Sequence, residues 1–273
     1  MFLIKFLLAT IAFLGDSNLW LGREDCSNEA AWSYWMADAA RRVSRGDSTE
    51  LQTRSFARSG ATLTNTIATP ADTTLYSQLL DDANTLYNQA LRLNGAVERG
   101  EMGSPDIIMV YGGTNDAWFA DRRPGLFDSI PDSRLAQITP ETSPAEASTL
   151  RESLILLLRL LRNQNPESRI ILVGPPLTIK APDQRIHGVT DIMEEISRKE
   201  NLQMIRLDSP DIIDPELEAK QSTLTIDGVH TSPLGAQRIG YYIYNEIAPI
   251  SRCSSEADEA GLRIPHNHPH ITL

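Results

Sequence analysis

At 273 residues, with 41% hydrophobic and 22% charged residues, the chain has the make-up of a folded protein long enough to bury a core without disulfide staples. A formal charge of −11 argues against a nucleic-acid partner, since the densest basic spots, Arg41-Arg42 and Arg122-Arg123, are isolated pairs. Two cysteines, Cys26 and Cys253, are too few for a disulfide framework or a four-thiolate zinc site, although a single bridge between them stays open.

The apolar run from Phe6 to Leu14 reads either as a secretory h-region or as the first strand of a sheet stopped by Gly15. The strand reading is preferred, because cleavage after Ala12 would remove the strand that presents Ser17. It carries the expectation of a cytoplasmic protein, with secretion as the alternative. The run is shorter than the roughly twenty apolar residues a membrane span needs, so no stable membrane insertion is expected. A helix is predicted from Asn28 to Val43, with Ala31, Trp35, Ala39 and Val43 on one face. A second strand, Leu51 to Ala57, is broken by Ser59-Gly60, and a helix is predicted from Asp72, as N-cap, to Leu93, with Leu75 and Leu79 on its inner face.

After Pro105, the run Asp106 to Tyr111 is a buried strand ending at Gly112-Gly113-Thr114-Asn115-Asp116. Residues 117–142 lack periodicity and read as a long loop of the kind that forms lids or binding loops. Ser143-Pro144 is placed at the start of a helix whose inner face carries Leu150, Leu154, Leu157, Leu158 and Leu161. A fourth strand (Arg169 to Gly174), a helix (Val189 to Lys199) and a fifth strand (Gln203 to Leu207) follow. Thr225 to His230 then leads into a last helix capped by Thr231 or Ser232, with Pro233 first and Ala236, Ile239, Tyr242 and Ile243 inward. Residues 1–253 read as one domain and 254–273 as a polar tail, whose His266, His268 and His270 are taken as tail residues rather than metal ligands.

Strands alternating with helices predict an α/β fold with a parallel sheet covered on both faces. Loops at the carboxyl ends of its strands, where open sheets of this kind build their sites, then carry Ser17, Gly60, Asn115 and Asp227/His230. A serine hydroxyl needs a neighbouring base. His230, with Asp227 three residues earlier, can supply one held in the right tautomer, whereas His187 reads as a surface loop residue without a partner. A tetrahedral oxyanion needs donors, and the Ser17 amide, the Gly60 amide and the Asn115 side chain are the candidates. Taken singly, each has a structural reading: a cap, a turn glycine, an Asx turn, a loop hydrogen bond.

Together, Gly15-Asp16-Ser17, Gly60 with Ser55 and Ala57 before it, Gly113-x-Asn115-Asp116 and Asp227-x-x-His230 resemble the four blocks of the SGNH hydrolases, the GDSL esterase/lipase superfamily. The blocks run in the family order from residue 11 to about 247. The resemblance implies a flavodoxin-like three-layer α/β/α sandwich around five parallel strands, without metal or organic cofactor. It also implies Ser17 as nucleophile, His230 as base, Asp227 as orienting acid, and Ser17, Gly60 and Asn115 as the oxyanion hole. Asn18, Ser55 and Ala57 depart from the residues frequent in the family. Asp16, Asn18, Trp20 and Trp118 are the candidates to border a pocket. The expected substrate is a small-molecule or glycan ester, with acetyl on a carbohydrate first and a lipid ester or thioester second; a non-catalytic glycan-binding module is the reading from another class. The oligomeric state is left open.

Overall fold

The computed structural model describes residues 10–43, 51–65 and 84–247. Asp72, Leu75, Leu79, Cys253 and the tail with its three histidines lie outside the described residues. Five strands, β1 (Thr10–Leu14), β2 (Gln52–Ser55), β3 (Ile107–Tyr111), β4 (Arg169–Val173) and β5 (Gln203–Ile205), form one sheet in the order β2-β1-β3-β4-β5. Every pairing is parallel. The run Ile11–Leu14 is therefore an interior strand, flanked by β2 and β3.

Side chains alternate across a strand, and this sheet divides them between two cores. Ala12, Leu14, Ile108, Val110, Ile170 and Leu172 face one way, into a core shared with α3 (Leu86–Glu98), α6 (Leu150–Gln164) and α7 (Asp183–Lys199). Ile11, Phe13, Ile107, Met109, Ile171 and Val173 face the other, where α2 (Trp32–Val43) and α9 (Pro233–Ile247) pack. Strands buried on both faces have to be apolar at every position, which is why they read as unbroken runs. The three-layer α/β/α sandwich follows from this division.

Several boundaries differ from the sequence reading, each for a local reason. α2 begins at Trp32; Ala31 and Ala39 of the predicted face are buried, as are Trp32, Met36, Ala37 and Ala40, whereas Trp35 is half-buried. Trp32 sits edge-on between Phe13 and Tyr111, with ring centroids 5.6 and 5.5 Å away. The predicted helix from Asp72 to Leu93 is not continuous. Thr85 is extended and caps a helix that starts at Leu86, because Thr62 accepts the Leu86 amide and Asn84 the Thr62 amide.

The helix expected at Ser143 begins instead at Leu150, where Thr149 and Glu152 form a capping box, and Pro144–Glu146 is a separate 3-10 turn. All five leucines assigned to its inner face are buried. α7 begins six residues earlier than expected, at Asp183, and so includes His187.

Residues 117–142 are ordered rather than structureless. They contain the end of α4 (Thr114–Trp118), a 3-10 turn (Ala120–Arg122) and α5 (Asp132–Leu135). Leu126, Leu135 and Ile138 are buried in the core beneath α6. Ion pairs of Arg185 with Asp121 and Lys199 with Asp132 tie the segment to α7. α8 (Pro215–Gln221) lies on the long connection from β5 to α9.

Candidate active site

β1 stops just before Gly15, and one buried side chain holds both backbone groups of this glycine. The Gly15 amide donates to Gln89 Oε1 at 2.7 Å, and Gln89 Nε2 donates to the Gly15 carbonyl at 2.8 Å. Asp16 caps the single turn α1 (Ser17–Trp20), its Oδ1 accepting the Asn18 amide at 3.0 Å. Ser17 is the first helical residue and only 7% exposed. Burial pushes the Asp16 carboxyl up to about 7, against the opposing pull of the Asn18 amide, the Thr114 hydroxyl and His230.

The β2 loop reaches the same end of the sheet. Gly60 takes φ +78°, the left-handed region that costs glycine nothing, and this turns the chain back after Arg58. Gly113, at φ +112°, starts α4 where an added Cβ would stand 2.4 Å from Val189 Cγ1. These two glycines bring the β2 and β3 loops together. Asn115 Nδ2 donates to the Ala61 carbonyl at 2.9 Å, which leaves its second amide hydrogen for another acceptor. Asp116 does not close a local Asx turn. Fully buried, it accepts the Leu63 and Thr64 amides at 2.9 and 3.0 Å. Burial raises its carboxyl, opposed by Arg123 and those amides.

The third part is a tight reversal ahead of α9. Thr225 bridges Thr231, and the Ile226 amide donates to the His230 carbonyl at 2.8 Å. Inside it, Asp227 Oδ1 accepts the amides of Val229 and His230, while Oδ2 lies 2.6 Å from His230 Nδ1. Partial burial works to raise the Asp227 carboxyl, but these bonds outweigh it and hold the group below the usual carboxylate range. With Nδ1 paired to a carboxylate, the lone pair of the neutral ring belongs to Nε2. Glu218, 3% exposed, steadies the approach to this reversal by accepting the amides of Thr223, Leu224 and Thr225 and the Thr225 hydroxyl. The pair lies on the connection from β5 to α9, well beyond the end of β5.

Asn18 joins the first part to the third. Its Oδ1 accepts the Thr231 amide at 2.9 Å, and its Nδ2 donates to the Val229 carbonyl at 3.3 Å. Both neighbours of His230 are thus bonded to the residue that follows Ser17. The sequence profile of the GDSL-like lipase/acylhydrolase family matches residues 13–238 and spans all of these parts. The chain belongs to this family.

As a family member it is a carboxylic ester hydrolase. Solved structures share its fold. They include a lipase/acylhydrolase from Enterococcus faecalis (TM-score 0.52, 19% identity, 88% of this chain and 95% of that one). A possible lipase from Chitinophaga pinensis gives a TM-score of 0.54 at 14% identity, over 93% of this chain and 99% of that one. The psychrotrophic esterase EstA from Pseudoalteromonas sp. gives 0.50 at 15% identity, over 88% and 96%. No curated protein sequence matches the chain. Among the described residues, no helix is long and apolar enough to cross a membrane.

The candidates for bordering a pocket separate. Trp20 is 53% exposed at the end of α1, whereas Asp16 and Asn18 are buried beneath the surface and act as scaffold. Trp118 is half-buried, packed on the core and stacked on Phe119 at 5.1 Å. His187 is not an unpartnered loop residue; its Nδ1 lies 2.7 Å from Asp208 Oδ2. Cys26 is buried, and burial pushes its thiol up to about 11.

Gln89, Glu218 and the bonding role of Asn18 are absent from the sequence reading. A glutamine on the buried face of an amphipathic helix is the one signal among them that was legible, since an interior amide must find partners.

Proposed function

We propose that this hydrolase is a serine esterase that removes a small acyl group, acetyl first, from a carbohydrate. Ser17 Oγ attacks the ester carbonyl and passes its proton to His230 Nε2, while Asp227 holds the ring and stabilises the imidazolium. The oxyanion is received by the amides of Ser17 and Gly60 and by Asn115 Nδ2, donors typically worth about 3 kcal/mol each. Collapse expels the alcohol with the proton returned by His230. Water, deprotonated by the same imidazole, then releases the acid from Ser17.

What carries this reading is the Asn18 bridge, which ties the loop holding the His230–Asp227 pair to the turn of a 7%-exposed serine. The preference for a sugar draws on Trp20, whose exposed ring stands three residues from Ser17 and offers a face for stacking. The test is release of nitrophenol from p-nitrophenyl acetate. Ser17→Ala should lower kcat by about 10⁴-fold or more, the scale of losing a triad nucleophile. Undiminished turnover by that variant would end the proposal. Faster hydrolysis of octanoyl than acetyl esters would move the substrate to the lipid class.

A further inference from the structure

The Asn18 amide has one partner outside the reversal that it bridges. Its Oδ1 faces Thr231, accepting the backbone amide at 2.9 Å with the hydroxyl 3.4 Å away, and one Nδ2 hydrogen goes to the Val229 carbonyl. The second Nδ2 hydrogen goes to Tyr111 Oη at 3.4 Å. A backbone amide only donates and a carbonyl only accepts, so the Asn18 amide cannot be turned over, and Tyr111 has to be the acceptor. Of these partners Tyr111 alone stands on the sheet, as the last residue of β3.

Its surroundings suit it to fixing a position. Tyr111 is fully buried, and Trp32 stands edge-on to its ring with centroids 5.5 Å apart. A Cβ added to Gly15 would lie 3.2 Å from Tyr111 Cδ1, so the ring also packs against the residue before the Asp16 cap. Accepting from Asn18 leaves the hydroxyl its own hydrogen, in a buried space where the Asp16 carboxyl and the Thr114 hydroxyl both act on it. Among the described residues, neither Asp16 Oδ2 nor Thr114 Oγ1 has a hydrogen bond of ordinary geometry. Thr114 opens α4, one residue before Asn115. One phenol thus serves the turn of Ser17, the start of α4 and, through Asn18, the reversal of His230.

That reversal has other holds. The Ile179 amide donates to the Gly228 carbonyl at 3.0 Å, the Thr231 hydroxyl to the Ala30 carbonyl at 3.1 Å, and Glu218 accepts the Thr225 amide at 2.8 Å. Loss of the phenol hydroxyl should therefore leave the fold standing and relax only the seat of the Asn18 amide.

We propose that Tyr111 is a positioning residue for ester hydrolysis: its hydroxyl fastens the Asn18 amide to the sheet and, through Val229 and Thr231, sets the place of the His230 ring. The proposal rests on the reading of His230 as the base. The position of the ring, however, can be measured without turnover.

The experiment compares the full chain with Tyr111→Phe, Asn18→Ala and the two together on p-nitrophenyl acetate. Tyr111→Phe keeps the ring against Trp32 and Gly15 and removes only the hydroxyl. It should lower kcat about fivefold with KM within about twofold, since alignment of the base counts in the transition state rather than in binding. In the Asn18→Ala background the same change should move kcat by less than about 1.5-fold, because residues acting through one another do not add. The second readout is NMR of histidine labelled at Cε1, in protein carrying Ser17→Ala. The His230 signal, assigned by its loss in His230→Ala, should shift on Tyr111→Phe while the His187 signal stays.

An unchanged kcat, equal kcat losses in the two backgrounds, a loss confined to KM, or a stationary His230 signal overturns the proposal. So does a Tyr111→Phe chain that fails to fold, because the hydroxyl would then serve the fold rather than the site. If Ser17→Ala proves fully active on p-nitrophenyl acetate while the His230 signal still follows Tyr111, the nucleophile assignment fails and the role of Tyr111 in placing the ring stands.

Discussion

Among the described residues two histidine–aspartate pairs share almost the same geometry, 2.6 Å from His230 Nδ1 to Asp227 and 2.7 Å from His187 Nδ1 to Asp208. They differ in what else the carboxylate holds. Asp208 is buried and also accepts Arg206 Nη2 at 2.7 Å and Nε at 3.0 Å, so its oxygens are divided between the imidazole and a permanent cation, itself shared with Asp191 and Glu194. Among the described residues, Asp227 bonds only to its own reversal, two backbone amides and the imidazole. The difference continues outward. His187 rides on a long helix, whereas both neighbours of His230 are bonded to Asn18, one residue from Ser17. A His–Asp bond alone therefore does not single out the proposed base. The undivided carboxylate and the tie to the Ser17 turn are what set His230 apart from His187.

The largest effects should separate the two pairs outright. His230→Ala should reduce kcat on p-nitrophenyl acetate by about 10⁴-fold or more, and Asp227→Asn by about 10³- to 10⁴-fold through the wrong ring tautomer. Because Asp227 is held below the usual carboxylate range, its own protonation should add no step to the rate profile within or above that range. A carboxylate step there that persists in Asp16→Asn, which removes the carboxyl pushed up to about 7, would contradict this assignment of roles.

The next effect is on stability, at the carboxyl behind Ser17. Asp16 stands at about 7 in the folded chain against an ordinary 3.8, so between those values the folded state keeps a proton that the unfolded state has lost. Stability from this group should fall as pH rises through that window and level off above it, by about 4 kcal/mol for a gap of roughly three units. Asp16→Asn removes the titration and keeps an oxygen to accept the Asn18 amide. Urea unfolding at pH 4 and pH 8 should show the variant gaining on the wild type by that order at the higher pH. A difference that does not change with pH would mean Asp16 does not ionise in this window.

Much of this was legible in the sequence because it follows from patterns one segment can show. Apolar runs closed by glycine placed β1, β3 and β4, while β2 and β5 fall within the predicted strands Leu51 to Ala57 and Gln203 to Leu207, and four short blocks named Ser17, Gly60, Asn115 and the Asp227–His230 pair as candidates. Contacts between segments far apart in sequence were not legible. Nothing near His187 announces Asp208, 21 residues away, and residues 117–142 looked structureless because Leu126, Leu135 and Ile138 anchor them singly rather than in a repeating stripe. Asn18 is the sharpest case. Set against its family it reads as a departure at a position often apolar, and only the fold shows its amide spanning 211 and 213 residues of chain.

That bridge allows a smaller test on the active side of the comparison. Asn18→Ala leaves the Val229 carbonyl and the Thr231 amide without their buried partner, a loss of about 1–3 kcal/mol in stability. A purely structural role would end there. If Asn18 positions the base, kcat on p-nitrophenyl acetate should also fall about tenfold with KM little changed, since only the transition state needs the ring aligned. Equal loss in kcat for acyl-enzyme formation and in substrate affinity would instead point to a general loosening of the pocket.

The smallest effect is expected at the other pair, and it closes the comparison. His187→Asn removes an imidazole whose side chain is 43% exposed, and leaves Asp208 still bonded to Arg206. An exposed partner of a carboxylate that keeps its arginine contributes about 1 kcal/mol or less, so the melting temperature should move by no more than a few degrees. The rate on p-nitrophenyl acetate should stay within about twofold of wild type, the ordinary spread for a surface change remote from the reacting atoms. The measurement is kcat/KM beside a thermal melt on the same sample. A large rate loss with an unchanged melt would mean that the Asp208 pair also takes part in proton transfer, and that bonding a carboxylate to arginine does not keep its histidine out of the chemistry.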